Sequence, residues 1–209
     1  GDGRAAATPA LDQALRLLPS EPVNGVRERT TVARLHLRAA LATNATGAFE
    51  SGVAHLERAK ALLPRQAFEH EYSLALAIEH ALASTLIPLG RIDEALSAAD
   101  RIVSNAKGVL DEAPGFEARI LGHTARNEYP KAIAAGLEIC RRLGMSLPES
   151  PTLLDIAWNV GQVMWQLRGR TDEELVALPR MTDERATRLI RILTSMNSGA
   201  YVTRPYLWP

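Results

Sequence analysis

Five histidines, His36, His55, His70, His80 and His123, and one cysteine, Cys140, are the side chains best suited to hold a metal or carry a nucleophile. Their spacing argues against both. No His-x-x-x-His or Glu-x-x-His pair occurs, so no single helix presents two ligands on one face. Glu69-His70-Glu71 gathers three potential ligands, but adjacent residues on a helix point in different directions, and the run reads as a solvated charge cluster. Cys140 has no second cysteine to pair with, and its apolar, helix-like surroundings suit a small buried hydrophobe in a reducing cytoplasm. Neither a nucleophile elbow around any serine nor a Gly-x-x-x-x-Gly-Lys-Ser/Thr loop, a His-Arg-Asp or an Asp-Phe-Gly occurs, which leaves hydrolase, ATPase and kinase chemistry without a motif. The expectation is a chain with no catalytic, cofactor or metal site.

Composition narrows the partners. Lys plus Arg and Asp plus Glu are 24 each, so no net field draws the chain to nucleic acid or an anionic membrane. With 46% apolar residues in 209 there is enough to build a continuous core. The longest apolar stretch, 73–90, is interrupted by Glu79 and His80 and falls short of the roughly 20 residues a membrane span needs. No basic segment followed by an apolar run marks a signal peptide, and a cytoplasmic location is expected.

The elements behind these residues repeat. Gly47-x-Phe49-x-x-Gly52, continuing to Ala59 and Pro64, recurs as Gly90-x-Ile92-x-x-Ala95 and Asn127-x-Tyr129-x-x-Ala132, at intervals of 43 and 37 residues. The leading Gly or Asn suits a sharp turn at positive φ. The aromatic or Ile plugs a helical hairpin, the small residue allows two helices to approach, and Ala59, Ile102 and Ile139 supply the next contact layer. Apolar residues recur at helical spacing throughout, and helices are predicted near 9–18, 27–45, 48–63, 67–88, 91–107, 115–127, 129–143, 152–168, 172–178 and 183–198. Breaks are expected at Pro64, Pro88-Leu89-Gly90, Ala113-Pro114-Gly115 and 144–151. Ser150-Pro151 has the chemistry of an N-cap followed by Pro at the first helical position, and Thr171 to Glu174 that of a capping box.

The pattern predicts an all-α fold, an α-solenoid of stacked antiparallel hairpins of the tetratricopeptide-like (TPR-like) kind. Residues 1–25 read as the end of a preceding repeat and a linker, 26–149 as three hairpins, and 150–209 as a further hairpin cut short. Ala14 to Pro19 echoes Ala59 to Pro64, while Tyr201, Tyr206 and Trp208 close the chain without a polar capping helix, so a fragment of a longer protein is expected.

Ala48 to Pro64, Leu89-Gly-Arg-Ile-Asp-Glu-Ala-Leu96, Ala135 to Pro148 and Leu167 to Asp183 resemble the helical region of very large signalling proteins. In that family a serine/threonine kinase-like domain is followed by an AAA-type, STAND-class ATPase, the helical array, then GAF and histidine kinase or cyclase modules. The resemblance covers the chain from about Val26 onward and departs at Arg180, where a second Pro is expected. It implies a regulatory arm between the ATPase and the sensor or output modules, with neighbouring modules or a separate protein as partner. The alternative is an independent adaptor or ligand-sensing module, as in STAND-type transcription regulators.

Repeat arrays bind through the concave face lined by the first helix of each hairpin. Registering the pattern places Arg34, Leu37, Leu41 and Asn44, then His80 and Ser84, then Glu117, Leu121 and Thr124 on that face. A chaperone-type carboxylate clamp is excluded, because Leu37, Leu41, Ala81, Pro114 and Ala118 stand where Lys, Asn and Arg would be needed. Two arginine rows, Arg27, Arg34 and Arg38 and then Arg185, Arg188 and Arg191, are candidate docking residues for an acidic or phosphate-bearing surface, or solvated helix faces. Trp158 and Trp165, seven apart, are expected to pack in the core.

Overall fold

The computed structural model describes residues 25–148, 152–177, 179 and 181–203. The predicted helix at 9–18, the linker, Ser150-Pro151, Arg180, Tyr206 and Trp208 lie outside them. The described residues are helical with no strand: α1 (Val26–Ala45), α2 (Phe49–Leu62), α3 (Ala67–His70), α4 (Tyr72–Leu86), α5 (Ile92–Asn105), α6 (Val109–Ala125), α7 (Tyr129–Arg142), α8 (Leu153–Leu167), α9 (Asp172–Val176) and α10 (Glu184–Thr203).

The turn residues behave as their chemistry dictates. Gly47, Gly90 and Asn127 have φ of 82°, 72° and 59°, and Gly144 adds a fourth at 86°. Each closes its helix in the same way, with the next N–H reaching back five residues: Ala48 to Thr43, Arg91 to Leu86, Glu128 to His123 and Met145 to Cys140, at 2.8–3.1 Å. This left-handed cap satisfies carbonyls that would otherwise be orphaned at the helix end.

Packing then follows a fixed rule. α1 pairs with α2, α4 with α5 and α6 with α7; α4 also lies on α1 and α2, α6 on α4 and α5, and α10 on α6 and α7. Small residues make the approach possible. Ala95 and Ala132 are buried, and a methyl added at Gly52 would collide with the Asn44 side chain. Ala59, Ile102 and Ile139 are fully enclosed. One apolar cluster, centred on Leu56, Ile78, Leu82 and Ile102, joins α1, α2, α4 and α5 and reaches α6 through Ala118. A second, centred on Phe116, Ile120, Ile139 and Ile192, joins α6, α7 and α10.

Three local expectations change. The break at Ala113-Pro114-Gly115 is absent, and α6 runs from Val109 through all three residues. Pro114 is the sixth residue of α6, past the unpaired N–H groups of the first turn, so the helix continues without the bond a residue there would donate to the Leu110 carbonyl. Gly115 is the point of closest approach to α5: a methyl there would lie 2.8 Å from Val103 Cγ2 and 2.9 Å from the Ala99 carbonyl oxygen. The 67–88 helix is instead divided at Glu71, which leaves helical geometry with φ −129° and ψ 44°. The Glu71 carboxylate turns to α1 and accepts hydrogen bonds from Thr30 and Arg34.

The third change is larger. Trp158 and Trp165 are not core residues; they are 70% and 73% exposed. α10, rather than α8, occupies the place against α6 and α7, and every α8 side chain described is exposed. α8 is nevertheless well terminated, by a capping box in which Thr152 and Asp155 satisfy each other's backbone N–H. The capping box of Thr171 and Glu174 is present as expected.

Candidate functional site

The residues expected on one binding face occur as stripes on α1, α4 and α6, and polar contacts join the stripes. Between α1 and α4, Asn44 Nδ2 donates to Thr85 Oγ1 at 2.6 Å, and Arg34 pairs with Glu71 at 3.3 Å. Between α6 and α10, Arg191 pairs with Glu117 at 3.1 Å. His80 lies within electrostatic range of Glu117, Arg188 and Arg191, which ties the α4 stripe to the other two. Arg191, expected in a separate docking row, therefore stands against Glu117, and both it and Arg188 act electrostatically on His80.

The individual residues divide by exposure. Arg34, Leu41, Ser84 and Leu121 are open to solvent, Leu37 packs partly into the first core cluster, and Asn44, His80, Glu117 and Thr124 are half-buried. Ser84 Oγ donates back to the His80 carbonyl, as helical serines do. Thr124 Oγ1 is buried without a hydrogen-bond partner among the described residues. Arg27, Arg38 and Arg185 are exposed, with Arg185 turned toward the Gly144 cap.

Charge on this face is locally balanced. Glu117 neutralises Arg191 and Glu71 neutralises Arg34, leaving Arg38 and Arg188 as the less compensated cations; Arg188 is only 3.7 Å from Glu184, one turn away. Burial holds the His80 imidazole below its ordinary value, an effect that Arg191 and Arg188 reinforce and Glu117 opposes. The surface is neutral to slightly basic at pH 7, with apolar Leu41 and Leu121 between polar groups. Such a surface suits recognition of a folded partner or an extended segment.

Two polar groupings escape the sequence pattern. His36 Nδ1 and His55 Nδ1 face each other at 3.1 Å between α1 and α2, both nearly fully buried. They are 19 residues apart, so a search for ligands on one helix passes over them. Their positions among Ala33, Ala39 and Ala40 and among Gly52, Leu56 and Ala59 are the signal that both point inward. Glu79, 4% exposed, binds Lys60 of α2 at 2.6 Å and Arg101 of α5 at 2.8 Å. Cys140 is buried as expected, and burial pushes its thiol up. Among the described residues no group of three His, Cys, Asp or Glu could hold a metal, and no helix is long and apolar enough to cross a membrane.

Comparison with known proteins returned no matching family model, curated protein or solved structure.

Proposed function

We propose that this chain is a TPR-like α-solenoid segment that acts as a non-catalytic scaffold, the regulatory arm of a multidomain signalling ATPase or kinase. The observation that carries this reading is the stepwise packing in which α4, α6 and α10 each lie on both helices of the preceding pair. That order extends one face over α1, α4, α6 and α10 and bridges it by Asn44–Thr85 and Glu117–Arg191. A face built on four rigid helices presents side chains to a partner at small ordering cost. Its mixed charge and exposed leucines fit a protein surface better than a polyanion. The sequence resemblance supplies the context: the ATPase and sensor modules of one parent chain are the partners.

The test is association of the purified chain with those modules, followed by size-exclusion chromatography and light scattering. A defined complex weakened by Arg34→Glu and Arg191→Glu supports the reading; failure to associate removes the regulatory arm.

A further inference from the structure

Helix α8 carries a polar stripe of Asp155, Asn159, Gln162 and Gln166, spaced by four, three and four residues and therefore on one side. The opposite side is apolar and exposed. Leu154, Ala157, Trp158, Gly161, Met164 and Trp165 form a continuous strip along it, with Val160, Val163 and Leu167 on its flank. Leu154 is 82% exposed and Met164 68%, and among the described residues nothing lies within 4 Å of a methyl placed on Gly161. An open groove of about 610 Å³ is lined by Gly161, Met164, Trp165, Leu167 and Arg168. A soluble surface rarely leaves so contiguous a strip of large apolar groups without an occupant.

We propose that this strip is a homodimer interface, in which the α8 helices of two copies pack antiparallel about a two-fold axis at Gly161.

The strip is self-complementary about that point. Inverting it through residue 161 sets Trp165 against Ala157 of the second copy, large against small. Trp158 meets Met164, a polarizable thioether suited to an aromatic ring. Gly161 meets itself, which lets the helix axes approach. Arg168 lies with its guanidinium 5.7 Å from the Trp165 ring centroid, beside the same strip. A parallel pairing would instead stack Trp on Trp.

The area is sufficient. Each buried tryptophan contributes roughly 150–250 Å². Four tryptophans with the accompanying Leu154, Met164 and Ala157 bring the total to roughly 1,200–1,600 Å², the range of a stable specific interface. Partner choice also follows from charge. Asp155 is the sole charged residue among the described side chains of α8, so nothing on the strip selects an acidic or basic partner.

The experiment is sedimentation equilibrium of the whole chain over about 1–100 μM, with the double variant Trp158→Ser and Trp165→Ser beside it. Neither core cluster contains a residue of α8, so the variant retains its helical circular dichroism and melting temperature. The expected result is a dimer in the wild type and at least about a 100-fold weaker association in the variant. Orientation is read by Gly161→Cys, which should oxidise to a covalent dimer, and Leu154→Cys, which should not. A wild-type monomer at 100 μM, a dimer indifferent to the two substitutions, or cross-linking at position 154 in place of 161 would each overturn the proposal.

Discussion

Arg191 on α10 meets Glu117 on α6 across 74 residues of sequence and closes the polar connection between the last two helices of the shared face. Half of the arginine side chain is exposed, so the pair is worth no more than about 1 kcal/mol in stability. On the proposed reading its consequence lies in binding. Arg191→Glu should leave the melting temperature nearly unchanged while placing two like charges at the face and expelling an acidic partner segment. A large loss of stability without loss of binding would show the pair to be a structural strut.

Glu79 has the opposite balance. Its carboxylate is buried, while Lys60 and Arg101 keep about two-fifths of their side chains in water. Glu79→Ala removes the group that links α2, α4 and α5 but leaves both cations free to hydrate, so the expected cost is about 1–3 kcal/mol rather than that of a fully buried triad. Lys60→Ala should cost less, because Arg101 still compensates the carboxylate. Urea unfolding of the two variants measures the order, and a Lys60 variant less stable than the Glu79 variant would contradict it.

Acid should destabilise the protein through His36 and His80. Burial is the first cause in each case, and both imidazoles are held below their ordinary value near 6.5. For His36 the neighbouring His55 and Arg58 act in the same direction. The unfolded chain therefore binds more protons than the native one below that value, so stability is complete above about pH 6.5 and falls as pH drops through the depressed native values. Chemical unfolding at pH 7.5, 6.5 and 5.5 should show this decline. His36→Gln should flatten part of it; an unchanged slope would remove the His36–His55 pair from the account.

Gly115→Ala should destabilise by about 1–3 kcal/mol, since the added methyl meets the fixed Ala99 carbonyl as well as Val103. Gly136→Ala should cost less. The atoms it meets belong to Met196, whose flexible side chain can turn aside. Thermal melts of the two variants decide the comparison, and equal losses would refute it.

The repeat was legible because it is made of local requirements. A left-handed turn at Gly47, Gly90 and Asn127, a small residue five positions on, and an enclosed Ala59, Ile102 or Ile139 each follow from one residue type at one spacing. Pro114-Gly115 was misleading for a physical reason. The same dipeptide that breaks a helix in solvent serves inside α6 as a close-packing point, and only the opposing Ala99 and Val103 reveal which use applies. The stripes of the candidate face were readable from helical spacing, whereas the bridge from Glu117 to Arg191 depends on α10 displacing α8 beside α7. No local signal in Trp158 or Trp165 distinguishes an apolar strip buried within the chain from one left open.

Binding through the shared face is the claim most directly open to measurement. Light scattering should be recorded on this chain alone and mixed with the ATPase and sensor segments proposed to flank it in the parent protein. A complex of defined mass, weakened at least about tenfold by Arg34→Glu with Arg191→Glu, is the predicted result. Absence of any complex at tens of micromolar, or one unaffected by the two substitutions, would contradict it.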